Sequence, residues 1–218
     1  LIDHVPELAI ADILGSTEGG MGQSIMTKDT PASETAKFTL LPVAKVLLPD
    51  GSREVAPGSG EVGMVAQGGM VPLGYYKDPE KSAKTFKEVD GKRYAFIGDM
   101  ATVEADGTIN LLGRGSNCIN TGGEKVFPEE VEESLKLHPA VEDALVFGLE
   151  DERFGNRVAG VASLEAGNAA QSEEILDATR GVIASYKLPK ELLVVPVVPR
   201  GPNGKADYKA AKALMADH

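Results

Sequence analysis

Four short stretches of this chain combine residue types able to act on a phosphorylated ligand. Gly15-Ser16-Thr17-Glu18 offers a hydroxyl and a carboxylate beside flexible backbone, a pairing suited to phosphate oxygens and to Mg²⁺, a hard cation bound through oxygen. Tyr94 to Asp99, reading Y-A-F-I-G-D, is expected to end a strand at a carboxylate placed to accept from two vicinal ribose hydroxyls. An Asp that only opens a turn is the plain alternative for that fragment. Arg114 follows a hairpin, and Lys205 lies in P-R-G-P-N-G-K, a glycine-proline loop that carries a lysine without burying it. The glycine-rich segment after Leu14 is not a P-loop, because no Lys follows its glycines in the order G-x-x-x-x-G-K-[ST]. Taken singly, each stretch is ordinary.

The elements that must position these residues divide at Gly113 to Glu132, G-R-G-S-N-C-I-N-T-G-G-E-K-V-F-P-E-E-V-E. Ser116 to Thr121 reads as a short extended segment, Gly122-Gly123 as a tight reversal at positive φ, and Lys125 to Phe127 as the antiparallel return. Pro128 suits the first turn of a helix, and Glu129, Glu130, Glu132 and Glu133 crowd the positive end of its dipole. Geometry alone allows this stretch to be no more than a connector. Upstream, Ala9 to Leu14 reads as a strand entering a loop, G-S-T-E-G-G-M-G, too rich in glycine to be regular. Asp50-Gly51, Asp90-Gly91 and Asp106-Gly107 each signal a hairpin, so residues 40–112 are expected to be largely β. The exception is a helix from Asp78-Pro79 through Glu88, with Asp as cap and Ala83 and Phe86 on its apolar face. Downstream, helices are expected over Pro128–Leu137, Ser172–Ala184 (capped by Ser172) and Asp207–Met215, and strands over Val141–Gly148, Arg157–Leu164 and Leu192–Val198.

Composition limits the possible partners. The 218 residues are 42% apolar, enough for one core or two modest ones, and two lobes fit the pattern better. A formal charge of −11 argues against a general nucleic-acid or anionic-membrane surface. The charge is uneven: Glu129 to Asp177 holds thirteen acidic and three basic residues, whereas Tyr186 to His218 holds six basic and three acidic. That basic tail suits a phosphate-rich ligand locally, although a solvated helix face accounts equally for Lys209 and Lys212. One cysteine, Cys118, allows no internal disulfide, which fits a reducing compartment and a packing role. With no long apolar run and no signal peptide at L-I-D-H-V-P-E, the expectation is a cytoplasmic protein with no transmembrane segment. A first residue that is not Met suggests that the chain begins inside a longer one.

Together, G-S-T-E, the Y-A-F-I-G-D stretch, G-R with its glycine hairpin and P-E-E-V-E, and P-x-x-x-x-G-K at Pro199 to Lys205 resemble the adenylate-forming superfamily of acyl-CoA synthetases, luciferases and peptide-synthetase adenylation domains. The resemblance covers nearly everything from Ala9 onward. It implies a mixed α+β fold: a β-rich remnant of a large adenylating lobe over residues 1–113, then a small, mobile α/β lobe over 114–218 with a short mixed sheet and flanking helices. It implies that Gly15, Ser16 and Thr17 lie near the ATP phosphates, that Glu18 holds Mg²⁺, that Asp99 and Arg114 bind the ribose, and that Lys205 reaches the forming adenylate on a loop loosened by Gly201 and Gly204. The small lobe would swing on Ser116, two residues after the Arg, where the superfamily usually carries Asp or Lys. Leu14 replaces the aromatic expected to stack on adenine, and Ile97 the Thr common before Gly-Asp.

The same likeness suggests a branch. Gly122-Gly123-Glu124 with Pro128 matches the G-G-E-x-x-x-P of acyl-CoA synthetases, where bare backbone lines a narrow pantetheine passage. Tyr186-Lys187-Leu188-Pro189-Lys190 resembles the segment that meets the CoA nucleotide, with Tyr186 stacking on a base, Lys190 pairing with a phosphate, and Leu188 in place of a basic residue. Phe154 lies where an aromatic flanks the passage, though packing in a core is an equal reading of that residue. The implied activity is ATP-dependent acyl-CoA synthesis from a carboxylic acid, ATP and CoA through an acyl-adenylate, most like actinobacterial fatty-acid or steroid-side-chain CoA ligases. The acyl pocket would lie before residue 1, so the acid is not readable, nor is the oligomeric state. An adenylating enzyme that loads a carrier-protein thiol, or a nonenzymatic nucleotide-binding module, are the rivals; free-CoA binding separates the first.

Overall fold

The computed structural model describes residues 2, 4–29 and 36–216, and the chain divides between Leu112 and Gly113 into two compact units. The first unit is built on β1 (Ile10–Ser16), β2 (Gly19–Met26), β3 (Lys37–Leu40), β4 (Ala44–Leu47), β5 (Gly63–Gln67), β6 (Phe86–Val89), β7 (Lys92–Val103) and β8 (Ile109–Arg114), whose last two residues already belong to the second unit. They form one sheet in the order β1-β2-β3-β8-β7-β5-β4, with β6 also paired to β7. Leu14, Met21, Phe38, Val46, Val65 and Ile109 bury one core on it, and Leu47, Tyr94 and Phe96 a smaller one.

Turn chemistry accounts for most of these connections. Asp90 and Gly91, at φ 50° and 70°, form the two-residue reversal between Val89 and Lys92. The Asp106-Gly107 turn is closed by Gly107 N–H donating to Glu104 O at 2.9 Å and by Thr108 N–H donating to Asp106 Oδ1 at 2.9 Å. Asp50-Gly51 brings the chain back so that Leu47 bridges Glu54.

Three expectations for this unit are corrected. The segment after Ser16 is not an irregular loop but strand β2, anchored by the fully buried Met21 and reached through a turn of only Thr17 and Glu18. Helix α1 (Pro79–Thr85) has the expected cap, Lys81 N–H donating to Asp78 Oδ1, but it stops before Glu88. Phe86 turns extended because it pairs with Ala95 as the first residue of β6, so Ala83 stays exposed and Thr85 is the residue α1 buries. Tertiary pairing overrides the local helical pattern here.

The second unit opens with a single 3-10 turn at Gly115–Asn117, so Ser116 is not extended as expected. A hairpin follows, β9 (Ile119–Thr121) and β10 (Glu124–Val126), joined at Gly122-Gly123 with φ 59° and 91°. Then come α2 (Pro128–Lys136), β11 (Val141–Asp151), β12 (Gly155–Leu164), α3 (Ser172–Thr179), β13 (Glu191–Val194) and α4 (Tyr208–Ala216). Strands β11 and β12 are antiparallel, and α3 carries the crossover to β13, which pairs parallel with β12. Helix α3 is shorter than expected, and Gln171, not Ser172, occupies its cap without a side-chain bond. Strand β13 ends at Val194, short of Val198.

The run Ala144-Leu145-Val146-Phe147 explains the layering. Ala144 and Val146 pack with Val131, Leu135 and Ile175 from α2 and α3, whereas Leu145 and Phe147 pack with Ala211 and Met215 from α4. Side chains alternate across a strand, so a continuous apolar run requires helices on both faces. Leu135 has no exposure, whereas Leu137, two residues on, is 60% exposed. Leu135→Ala is therefore expected to lower the unfolding free energy of this unit by about 2–5 kcal/mol, and Leu137→Ala to change it by less than about 0.5 kcal/mol. Urea titrations of the two variants, followed by a probe within the second unit, check this.

Candidate functional site

In the first unit the candidate residues sit where strand pairing is interrupted. Ser16 pairs with Gly19, leaving Thr17 and Glu18 at the tip of the β1/β2 hairpin. Thr17 and Gly15 are exposed and Ser16 half-buried, with Ser16 Oγ accepting from Glu18 N–H at 3.1 Å. The Glu18 carboxylate accepts from the Tyr75 hydroxyl, and this bond, aided by Ser16 and Lys81, holds its carboxyl below the ordinary value against the opposing effect of burial. Tyr75 is itself fixed: its N–H donates to Ser82 Oγ at 2.8 Å, Lys81 lies 4.1 Å over its ring, and its ring meets that of Phe86 at 5.3 Å. Sequence reasoning passed over Tyr75, whose only signal was its place in G-Y-Y-K-D-P. Among the described residues no three His, Cys, Asp or Glu side chains cluster as a metal site. One ionised carboxylate nevertheless fits Mg²⁺, which commonly takes one or two protein carboxylates and completes its shell with water and phosphate.

Asp99 does not end a strand. β7 continues to Val103, but its pairing with β5 slips: Met64 faces Met100 and Ala66 faces Phe96, so Ile97, Gly98 and Asp99 bulge out of register. Gly98 has φ 99°, a conformation other residues rarely adopt, and it is this residue that lets the bulge form. A bulge re-aims side chains, and it leaves Asp99 9% exposed and Ile97 packed against the core. Leu14, which takes the place of a stacking aromatic, is also a core residue, 8% exposed.

In the second unit the segment from Arg114 to Asn117 is clasped by Glu129. Oε1 of Glu129 accepts from Arg114 N–H at 3.3 Å and from Asn117 Nδ2 at 3.1 Å, while Oε2 is buried without a hydrogen-bond partner among the described residues. Gly113, at φ 121°, lets the carboxylate this close; a Cβ there would lie 2.2 Å from Oε2. From sequence the four glutamates of α2 offer themselves only as complements to the helix dipole, which gives no sign of this contact. The exposed Ser116 and half-buried Cys118 line a cavity of about 290 Å³ with Asn117, Asn156, Tyr208 and Lys212. Cys118 thus faces a cavity instead of filling a core, and burial pushes its thiol up.

The structure brings together Gly122 and Phe154. Gly122 N–H donates to Phe154 O at 3.0 Å, and a Cβ on Gly122 would lie 3.2 Å from the ring. Phe154 is 41% exposed, which removes the core-packing alternative. Gly123 faces open space. Tyr186 is 40% exposed and Lys190 exposed. Lys187 between them turns inward and pairs with Glu130 at 2.5 Å, tying this segment to α2.

Lys205 is exposed at the base of a tight loop: Gly201 N–H donates to Lys205 O at 2.8 Å and Lys205 N–H to Asn203 Oδ1 at 3.2 Å. Glu132, on α2, is 8% exposed; its Oε1 accepts from Val146 N–H at 2.8 Å and from the Tyr208 hydroxyl at 3.4 Å. Burial pushes the Glu132 carboxyl up to about 7, against the Val146 bond, and raises the Tyr208 hydroxyl as well.

Residues 130–205 match the AMP-binding enzyme C-terminal domain family. The 3-oxocholest-4-en-26-oate–CoA ligase of Rhodococcus rhodochrous is 48% identical over 214 residues, 97% of this chain and 38% of that protein. The medium/long-chain-fatty-acid–CoA/3-oxocholest-4-en-26-oate–CoA ligase of Mycolicibacterium smegmatis is 47% identical over 217 residues, 99% of this chain and 39% of that protein. The ATP-bound crystal structure of MatB from Rhodopseudomonas palustris is similar over 95% of this chain and 41% of that one, with a TM-score of 0.77 at 27% identity. Nearly the whole chain is similar to these CoA ligases and to this adenylating enzyme, and it spans about two fifths of their length. Among the described residues no helix is long and apolar enough to cross a membrane.

The raised carboxyl of Glu132 yields a pH test. A folded-state value of about 7 against an ordinary 4.5 means that the folded protein binds the extra proton, so this group's stabilising contribution is complete below about 4.5 and is lost as pH rises to about 7. Glu132→Gln keeps an acceptor for Val146 and cannot titrate. Its stability relative to the native chain should rise by up to about 3 kcal/mol between those pH values and level off above. Parallel stability curves would show that Glu132 does not titrate in this window.

Proposed function

We propose that this chain is the C-terminal portion of an ATP-dependent acyl-CoA synthetase, converting a carboxylic acid, ATP and CoA into acyl-CoA, AMP and pyrophosphate through an acyl-adenylate. The observation that carries the reading is the 48% identity over 97% of the chain to a steroid-acid CoA ligase, joined to the exposed Gly122-Gly123 turn against Phe154. That turn favours a CoA ligase over a carrier-protein loader, since bare backbone beside one exposed aromatic suits a slender thiol arm.

In the first step the acid's carboxylate attacks the α-phosphorus of ATP and pyrophosphate leaves. Thr17, with Gly15 and Ser16, offers a hydroxyl and open backbone to the phosphates at a turn that has no bulky neighbours in sequence. Mg²⁺, when bound, neutralises phosphate charge, and Glu18 is the residue of this chain suited to hold it because its carboxyl stays ionised against Tyr75. Asp99, at its bulge, and Arg114 are assigned to the ribose hydroxyls. The Lys205 ammonium holds charge shared between carboxylate and phosphate oxygens as the bond forms. In the second step the CoA thiol attacks the acyl carbonyl and AMP leaves, with Gly122, Gly123 and Phe154 along the thiol's path and Tyr186 and Lys190 on the nucleotide. Ser116 is the pivot between the two arrangements. The uncharged serine side chain leaves neither arrangement favoured by a hinge ion.

The two steps separate experimentally. In the full-length synthetase Lys205→Ala should lose acyl-AMP formation by about 10²-fold or more, the size expected for one preorganised charge. Given synthetic acyl-AMP and CoA, the same variant should still make thioester. Gly123→Leu and Ser116→Pro should do the reverse, by obstructing the thiol path and by fixing φ at the pivot. Equal defects of Lys205→Ala in both steps would refute the assignment. Tyr186→Ala and Lys190→Ala should each raise the KM for CoA by the equivalent of about 1–3 kcal/mol and leave ATP–pyrophosphate exchange nearly unchanged. The 218-residue chain alone should show no sustained AMP release.

A further inference from the structure

The Lys205 loop is not held by its own turn bonds alone. Arg200, at its start, makes a fork with Asp143 on β11: Nε donates to Oδ2 at 2.6 Å and Nη2 to Oδ1 at 2.7 Å. The third guanidinium nitrogen, Nη1, donates to Gly204 O at 3.2 Å, the carbonyl of the peptide that leads into Lys205. Arg200 also bridges Ala206 through the backbone, and Asp207 N–H donates to Pro199 O at 3.1 Å, closing the neck of the loop. Asp143 is fixed in turn, since its Oδ1 accepts from Ala144 N–H at 2.9 Å at the irregular start of β11. The guanidinium therefore links a rigid strand to the peptide next to the lysine. An ordinary exposed ion pair contributes little to stability. A planar fork with a third bond to the loop backbone fixes direction, which a lysine's point charge at the same place does not.

We propose that Arg200 and Asp143 are positioning residues for Lys205: their fork, through Gly204 O, sets the direction in which the loop presents the ammonium during adenylation. This rests on the assignment of Lys205 to the first half-reaction. Neither residue touches substrate in this account. Their loss leaves Lys205 present and charged but spread over several loop conformations, so the cost falls on the rate of the first step and not on ATP affinity. Misplacement on the scale of an ångström is enough to matter, because proximity terms in catalysis are large.

The test uses Arg200→Lys, which keeps the charge and removes the fork, and Asp143→Asn, which keeps the shape and removes the ion. In the full-length synthetase both should lower the maximal rate of acid-dependent ATP–pyrophosphate exchange by about 10- to 100-fold, with the KM for ATP nearly unchanged. Thioester formation from synthetic acyl-AMP should stay within about twofold. In a Lys205→Ala background Arg200→Lys should add no further loss, because residues acting through one group are not additive. In the 218-residue chain, Arg200→Lys should speed hydrogen exchange at the Gly201 amide, which bonds Lys205 O, while amides of β11 and β12 keep their protection. Exchange kinetics unchanged by Arg200→Lys while Lys205→Ala is defective would overturn this inference alone. An additive loss in the Lys205→Ala background, or equal loss of both half-reactions with lowered thermal stability, would overturn it in favour of a purely structural ion pair. A normal first step in Lys205→Ala would instead overturn the assignment of Lys205, and this inference with it.

Discussion

Much of the second unit hangs on one hydrogen bond, from Val146 N–H to the buried carboxylate of Glu132. β11 is the edge strand of its sheet, so an edge N–H buried under a helix must find a partner outside the ladder. Glu132 supplies it from α2 and, at the same oxygen, receives the hydroxyl of Tyr208 from α4. One carboxylate thus stitches two helices to the sheet from opposite layers. With α2 fixed by Glu132, its neighbours reach out in defined directions: Glu129 to the Arg114–Asn117 segment, Glu130 to Lys187 in the Tyr186–Lys190 segment. The helix opened by Pro128 is therefore the element that sets where the Arg114–Asn117 and Tyr186–Lys190 segments lie within this unit.

Candidate chemistry in both units falls where regular pairing breaks. Thr17 and Glu18 occupy a two-residue turn, Asp99 a bulge, Gly122 and Gly123 a turn, and Lys205 a loop. Strand interiors satisfy their backbone groups on each other and alternate their side chains between fixed faces. Only an interruption frees backbone for phosphate or redirects one side chain without disturbing the core beneath. Each interruption has a neighbouring side chain against it: Tyr75 on Glu18, Ile97 packed beside Asp99, Phe154 against Gly122, and Arg200 on the Gly204 carbonyl before Lys205.

Three carboxylates show how the local setting, not residue type, decides charge. Glu18 is held below its ordinary value chiefly by the Tyr75 hydroxyl. Burial pushes Asp143 up, but the Arg200 fork and the Ala144 amide outweigh it and hold it low. Glu132 is buried with one amide donor and, among the described residues, no cation in hydrogen-bond reach, so burial wins and its carboxyl rises to about 7. The first two are fit to hold ions, whereas the third is fit to hold helices.

Much was legible in the residues alone. Asp-Gly and Gly-Gly pairs marked their hairpins, Asp78-Pro79 and Pro128 marked helix starts, and the ordered motifs from Gly15 to Lys205 marked the superfamily, because turns and caps are specified by local backbone preferences. The sequence could not say that G-G-M-G is a strand, since burial of Met21 against a distant core outweighs glycine's local cost. Nor could it place the end of α1 at Thr85, which pairing of Phe86 with Ala95 decides. Asp99 was named but its bulge was not, because a register slip belongs to two strands at once. Tyr75, Glu129, Glu132, Arg200 and Asp143 were invisible as site residues for the same reason: each acts on a partner between 12 and 57 positions away. Local pattern carries no information about such a distance, and only the packed layers bring the two ends together.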